Sequence, residues 1–200
     1  MMELVQTLQS LAQTGLAYTK DPFDRQRFDA ILGLAVKLLQ QKTGLAQDQA
    51  EALILEDRGY RTPKVDVRGG IFHKDRILLV RERSDGLWCL PGGWADINET
   101  PRQAVERELF EETGLKTQAL KLAAVHDTNC RGPKQFYHSY KLLFVCHAQE
   151  GQPHPTAETS AADFFPRDAL PPLSAKRTTI EQIDLLFHHW LNPERPTDFD

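Results

Sequence analysis

The stretch from Gly92 to Leu115, "GGWADINETPRQAVERELFEETGL", restricts this 200-residue chain more than any other. Thr100-Pro101 suits a helix start, and Gly114 suits a stop because it tolerates left-handed backbone. On that helix Glu108, Glu111 and Glu112 fall at i, i+3 and i+4, so three like charges share one stripe and repel. A solvated acidic face is the ordinary outcome of such a pattern. Here, however, Val105 and Leu109 point toward another side, where they can pack on a sheet and hold the stripe still. Carboxylates gathered in this way are what a hard divalent cation requires, since magnesium and manganese favour oxygen ligands.

The remaining chain divides near residue 62. Before it, three helical segments run to about residue 57, and in the second Phe28, Ile31, Leu32, Ala35, Val36 and Leu39 make one apolar stripe. Asp21-Pro22 marks its start and Gly44 its stop. Thr62 and Pro63 break the helical run, and "KVDVRGGIFHKDRILLVRE" alternates like two strands joined by a turn. Further strands are predicted at 88–90, 120–127, 137–147 and 162–165, and helices at 102–113 and 176–191. The domains expected are residues 1–61 and residues 62–200, and the tail "NPERPTDFD" is expected to fray.

Composition removes several classes. No apolar run approaches the roughly 18 to 20 residues of a membrane span, and the first residues lack a basic leader before an apolar core. Cys89, Cys130 and Cys146 are widely separated with no CxxC pair, which argues against a disulfide framework or zinc site and fits a reducing cytoplasm. A net charge of -4 gives no support to strong non-specific nucleic-acid binding, although a local basic groove stays compatible with it. None of the seven histidines shows metal-ligand spacing, and His188-His189 is expected on the surface of the last helix.

The spacing is Gly93, five residues, Glu99, seven residues, Arg107-Glu108-Leu109, one residue, Glu111-Glu112, one residue, Gly114-Leu115. It resembles the full signature of the Nudix hydrolases at every fixed position. The resemblance implies an α/β/α sandwich with a mixed sheet, here preceded by a small all-helical domain. It further implies that Glu108, Glu111 and Glu112 bind Mg2+ or Mn2+, with a backbone carbonyl of Gly92 or Gly93 completing the shell, while a pyrophosphate is attacked by water. Arg107 would orient Glu99 or a helix glutamate, and Glu106, outside the signature, is expected at the surface. The general base of such enzymes comes from the motif helix or a later loop. Glu158, in "HPTAETSAADFF", is the loop residue expected to serve as base or metal ligand.

The helical first 60 residues, "LPGGWAD" and "FFPRDALPPLSAKRTTIEQI" look like the Nudix subgroup with an N-terminal helical domain. That likeness implies hydrolysis of CDP-choline to CMP and phosphocholine, or of ADP-ribose to AMP and ribose 5-phosphate. The alternatives are processing of RNA ends, or a non-catalytic module that senses nucleotides. Arg68, Arg81, Lys134 and Tyr137 are the candidates to contact phosphate or base, and Trp94 or Phe136 to stack on a ring. The helical domain is expected to form a homodimer by burying the stripe from Phe28 to Leu39 against a second copy.

Overall fold

The computed structural model describes residues 1–56, 58–131, 135–149 and 151–200. The chain forms two compact units. In the first, residues 1–63 and 135–138, three helices run Met2–Tyr18 (α1), Pro22–Thr43 (α2) and Gln47–Leu55 (α3). Asp21 caps α2 by accepting the Phe23 and Asp24 amides at 2.7 and 2.9 Å, and Gly44 ends it. Leu32, Ala35, Val36 and Leu39 are buried against Val5, Ala12 and Ile54 of the neighbouring helices, and Phe28 seats on Gly15. The stripe expected to await a second copy is therefore used inside the unit, because α1 and α3 close over it. Gln9 and Gln13 tie the layers together by donating to the Ile54 carbonyl at 2.6 and 2.8 Å.

The second unit is built on a mixed sheet of Lys64–His73 (β1), Arg76–Glu82 (β2), Trp88–Cys89 (β3), Thr117–Asp127 (β4), Ser139–Ala148 (β5), Thr159–Pro166 (β6) and Asp198–Phe199 (β7). The order is β3-β2-β1-β5-β4-β7, with β6 paired to β2. β1 runs parallel to β5 and β4 to β7, and the remaining pairs are antiparallel. Helix Pro101–Thr113 (α4) covers one face, where Val105 and Leu109 pack on Val67, Leu78 and Phe144. Helix Ile180–Leu191 (α5) covers the other, where Ile183 and Leu186 pack on Ile77, Leu79 and Leu143. Alternation along β1, β2 and β5 thus feeds two cores, which is the α/β/α sandwich. Gly69 lets the Leu109 side chain lie against the backbone of β1, so α4 sits close to the sheet.

Three further expectations change. The last helix begins at Ile180 rather than Lys176, since Ser174 to Thr178 form a turn and Thr179 caps the helix through the Gln182 amide. The tail is fastened instead of frayed: β7 pairs with the edge of β4, Thr197 bonds the Leu122 carbonyl at 2.9 Å, and Asp200 binds Arg131. His189 is buried rather than exposed, and its Nε2 lies 2.8 Å from Asp198 of that tail. Among the described residues, no helix is long and apolar enough to cross a membrane.

Candidate active site

The site forms where α4 meets the loop after β3. Two backbone bonds fix that loop on β1: Gly69 N to the Pro91 carbonyl at 3.0 Å, and Val67 N to the Gly93 carbonyl at 2.8 Å. Gly92 has φ +139°, and a Cβ there would lie 2.0 Å from the Val67 carbonyl, so only glycine fits. A Cβ on Gly93 would lie 2.6 Å from Glu108 Oε2. The glycine pair therefore brings backbone and carboxylate together, and Gly92 N donates to Glu112 Oε2 at 2.8 Å.

Arg107 is the hub of the acidic cluster. Its Nε and Nη2 donate to the two oxygens of Glu99 at 2.7 and 3.0 Å, the bidentate pairing that a planar guanidinium favours. Its Nη1 donates to Glu108 and Glu111 at 2.9 and 2.8 Å, and Nη2 also reaches the Trp94 carbonyl at 3.2 Å. Glu108 and Glu112 are nearly closed to solvent, at 8% and 5% exposure, whereas Glu111 stands at the rim. Burial pushes the Glu112 carboxyl up to about 8 against the opposing influence of Arg68 and the Gly92 N–H, and it also raises Glu108.

Beneath Glu112 lies a buried charged network that the sequence reading missed. Arg68 donates Nε to Asp66 at 3.0 Å and Nη1 to the Leu90 carbonyl at 3.1 Å, and Lys141 pairs with the other Asp66 oxygen at 3.3 Å. Arg68 is nearly closed to solvent and gives Nε and one Nη1 hydrogen to Asp66 and Leu90, which argues against the substrate contact expected of it. Glu82, at the end of β2, adds a further carboxylate beside Glu112 and pairs with Arg177 at 3.4 Å. Glu82 closes a strand predicted from alternation, but nothing in its spacing sets it apart from a solvated strand end.

The other candidates scatter. Arg81 is exposed on β2 and donates to the Gly86 carbonyl at 2.8 Å. Trp94 is 46% exposed beside the cluster. Tyr137 belongs to the first unit, where its hydroxyl bonds Glu56, and Phe136 packs in the same unit under Arg61. Lys134 lies outside the described residues. Glu106 is half-buried rather than a surface residue, because Oε1 accepts the Ala119 amide at 2.8 Å and anchors the start of β4. Glu158 is exposed in the loop before β6, and its neighbour Thr159 donates Oγ1 to the Glu112 carbonyl at 2.7 Å.

The donor set fits a hard cation: it is made of carboxylate oxygens, and two of them are desolvated side by side, an arrangement that a divalent charge relieves. Among the described residues no three acidic, histidine or cysteine groups already converge at ligating distance. Arg107 draws Glu108 and Glu111 toward itself, while Glu112 turns to Gly92.

Residues 63–190 match the family described as the NUDIX domain, and residues 1–54 match the family described as a UDP-X-like, N-terminal oligomerisation domain. The chain is 40% identical, over its whole length and 96% of the relative, to YjhB of Bacillus subtilis, a provisionally named ADP-ribose pyrophosphatase. A solved structure of an ADP-ribose pyrophosphatase from Streptococcus suis is 39% identical, covering 70% of this chain and all of that one, with a TM-score of 0.65. A solved UDP-X diphosphatase is 35% identical over 99% of this chain and 97% of its own, with a TM-score of 0.66.

Proposed function

The chain belongs to the Nudix hydrolases, a pyrophosphohydrolase family that generally needs a divalent metal, and from that premise we propose that it hydrolyses ADP-ribose to AMP and ribose 5-phosphate. The observation that carries the catalytic reading is the pair of buried carboxylates, Glu108 and Glu112, fixed against Gly92 and Gly93 with Glu111 open on the same stripe. The choice of ADP-ribose draws on the YjhB and Streptococcus suis relatives. CDP-choline appears in neither of their names, so that expectation rests on the sequence alone.

Glu108, Glu111 and Glu112, with the Gly92 carbonyl, would hold Mg2+ or Mn2+. Bound there, the cation offsets phosphate charge and lowers the pKa of a water. Arg107 sets the orientation of Glu108 and Glu111 from one nitrogen. Gly92 fixes Glu112 from the side. Glu158, exposed in the loop before β6, would take the proton of the attacking water, a role supported by the docking of its neighbour Thr159 on the Glu112 carbonyl.

The helical unit would pair two copies through the exposed face of α1. Leu4, Leu11 and Tyr18 recur there every seven residues and remain exposed, unlike the stripe of α2. A Leu4→Glu, Leu11→Glu variant that sediments as a dimer rejects that face.

The test of substrate is product formation from ADP-ribose, CDP-choline and UDP-sugars with magnesium or manganese, beside Glu112→Gln. AMP and ribose 5-phosphate should form fastest and vanish in the variant. Faster turnover of CDP-choline or a UDP-sugar overturns the substrate assigned, and full activity in Glu112→Gln overturns the site.

A further inference from the structure

We infer that Arg83, in the turn after β2, is a positioning residue for turnover, acting through the loop that carries Glu158. This inference rests on the role given to Glu158 above.

For Glu158 to act as base, the loop from β5 to β6 has to hold an exposed glutamate near a buried acidic site, and exposed loops do not hold one position unless their backbone is tied. Here it is tied on both sides of Glu158. On the following side, Thr159 donates Oγ1 to the carbonyl of Glu112 at 2.7 Å, so the loop ends on the acidic helix itself. On the preceding side, Arg83 donates Nε to the Ala157 carbonyl at 3.1 Å and Nη2 to the Thr156 carbonyl at 2.9 Å. Thr156 folds the segment into a tight turn, since its hydroxyl accepts the Glu158 amide at 3.2 Å and its own amide bonds the Thr159 carbonyl at 3.2 Å.

Glu158 therefore sits between a carbonyl gripped by a guanidinium and a hydroxyl docked on Glu112, while its carboxylate bonds no other described residue. That is the arrangement of a group held by its backbone and left free at its tip. Arg83 is exposed and spends two donors on two successive carbonyls rather than on a carboxylate. A surface arginine with only a solubility role would leave them to water. The fork matters as well: a planar guanidinium spans two neighbouring acceptors, and a lysine ammonium, a point donor, holds one of them firmly.

The experiment is a double-mutant cycle on kcat, with Arg83→Ala, Arg83→Lys, Glu158→Gln and the combined Arg83→Ala, Glu158→Gln variant, in full-length protein with magnesium. Arg83→Ala should lower kcat about tenfold with KM changed less than about twofold, and Arg83→Lys should recover part of the loss. In the Glu158→Gln background, Arg83→Ala should cost less than about twofold, because the group it positions is gone. Equal losses in both backgrounds, or unchanged kcat in Arg83→Ala while Glu158→Gln is impaired, overturn the role of Arg83 alone. Unchanged kcat in Glu158→Gln overturns the reading of Glu158 and this inference with it. Melting temperatures identify any loss caused by unfolding, and Arg83→Lys, which keeps the charge and stem, then decides the outcome by the same comparison.

Discussion

The metal-free protein should lose stability as the pH rises through the range in which Glu112 ionises. In the unfolded chain its carboxyl titrates near 4.5, while burial pushes it up to about 8 in the fold. Below pH 4.5 both states hold the proton, and the contribution of this residue to stability is fully present. Between 4.5 and 8 the folded state holds the proton that the unfolded state has released, so stability falls, and above 8 the loss is complete. A displacement of that size corresponds to about 5 kcal/mol, which in a chain of this length is on the order of 10 to 20 °C in melting temperature. The assay is thermal unfolding in chelator from pH 5 to 8.5, wild type beside Glu112→Gln. The glutamine accepts the same Gly92 N–H without a charge, so the difference between the two curves isolates this group. Glu108, raised in the same direction, is common to both. Adding magnesium should restore the high-pH melting temperature of the wild type and release protons below pH 8. Parallel melting curves for wild type and Glu112→Gln would show that Glu112 is solvated in the fold, and the reasoning from burial would be wrong.

Gly92→Ala should cost about 2 to 4 kcal/mol in urea unfolding, because its Cβ meets the Val67 carbonyl at 2.0 Å on a backbone at φ +139°; a loss under 1 kcal/mol would mean that the loop can move. Arg107→Lys should lower kcat about 10- to 100-fold with the fold intact by circular dichroism, since an ammonium cannot hold Glu99, Glu108 and Glu111 together. Wild-type kcat would detach Arg107 from the chemistry. Asp198→Ala should destabilise by about 1 to 3 kcal/mol, because it strips the buried His189 ring of its partner at Nε2 while Nδ1 has none among the described residues. Unchanged stability in denaturant would show that the tail does not seal that edge.

What could be read from the sequence follows the range over which each interaction acts. Helix α2 is delimited by its own Asp21, Pro22 and Gly44, and α4 by Thr100 and Gly114, so local chemistry gives both. Strand alternation locates β1, β2 and β5, and the spacing from Gly93 to Leu115 singles out the acidic helix with Arg107 as its organiser. Interactions between distant segments leave no such trace. The tail looks like a frayed polar end until β4 is seen to have an open edge that it can pair, and His189 looks like a surface residue until Asp198 arrives from that tail. The stripe of α2 marks an apolar face, but sequence does not say whether α1 and α3 or a second copy will cover it.

The same distinction accounts for the supports of the site. Glu108, Glu111 and Glu112 are legible because helical geometry alone brings them together. Arg68 has the sequence profile of a phosphate contact, a cation on a strand beside the motif, and the structure commits it instead to Asp66 and the Leu90 carbonyl beneath Glu112. Thr159 and Arg83 act on main-chain carbonyls, which every residue possesses, so neither partner carries a recognisable side-chain pattern. A chain can therefore declare a cluster of carboxylates through spacing while concealing what holds it. Arg68 shows how: spacing marks a cation beside the motif, and only its burial and its bonds to the Asp66 carboxylate and the Leu90 carbonyl reveal a support.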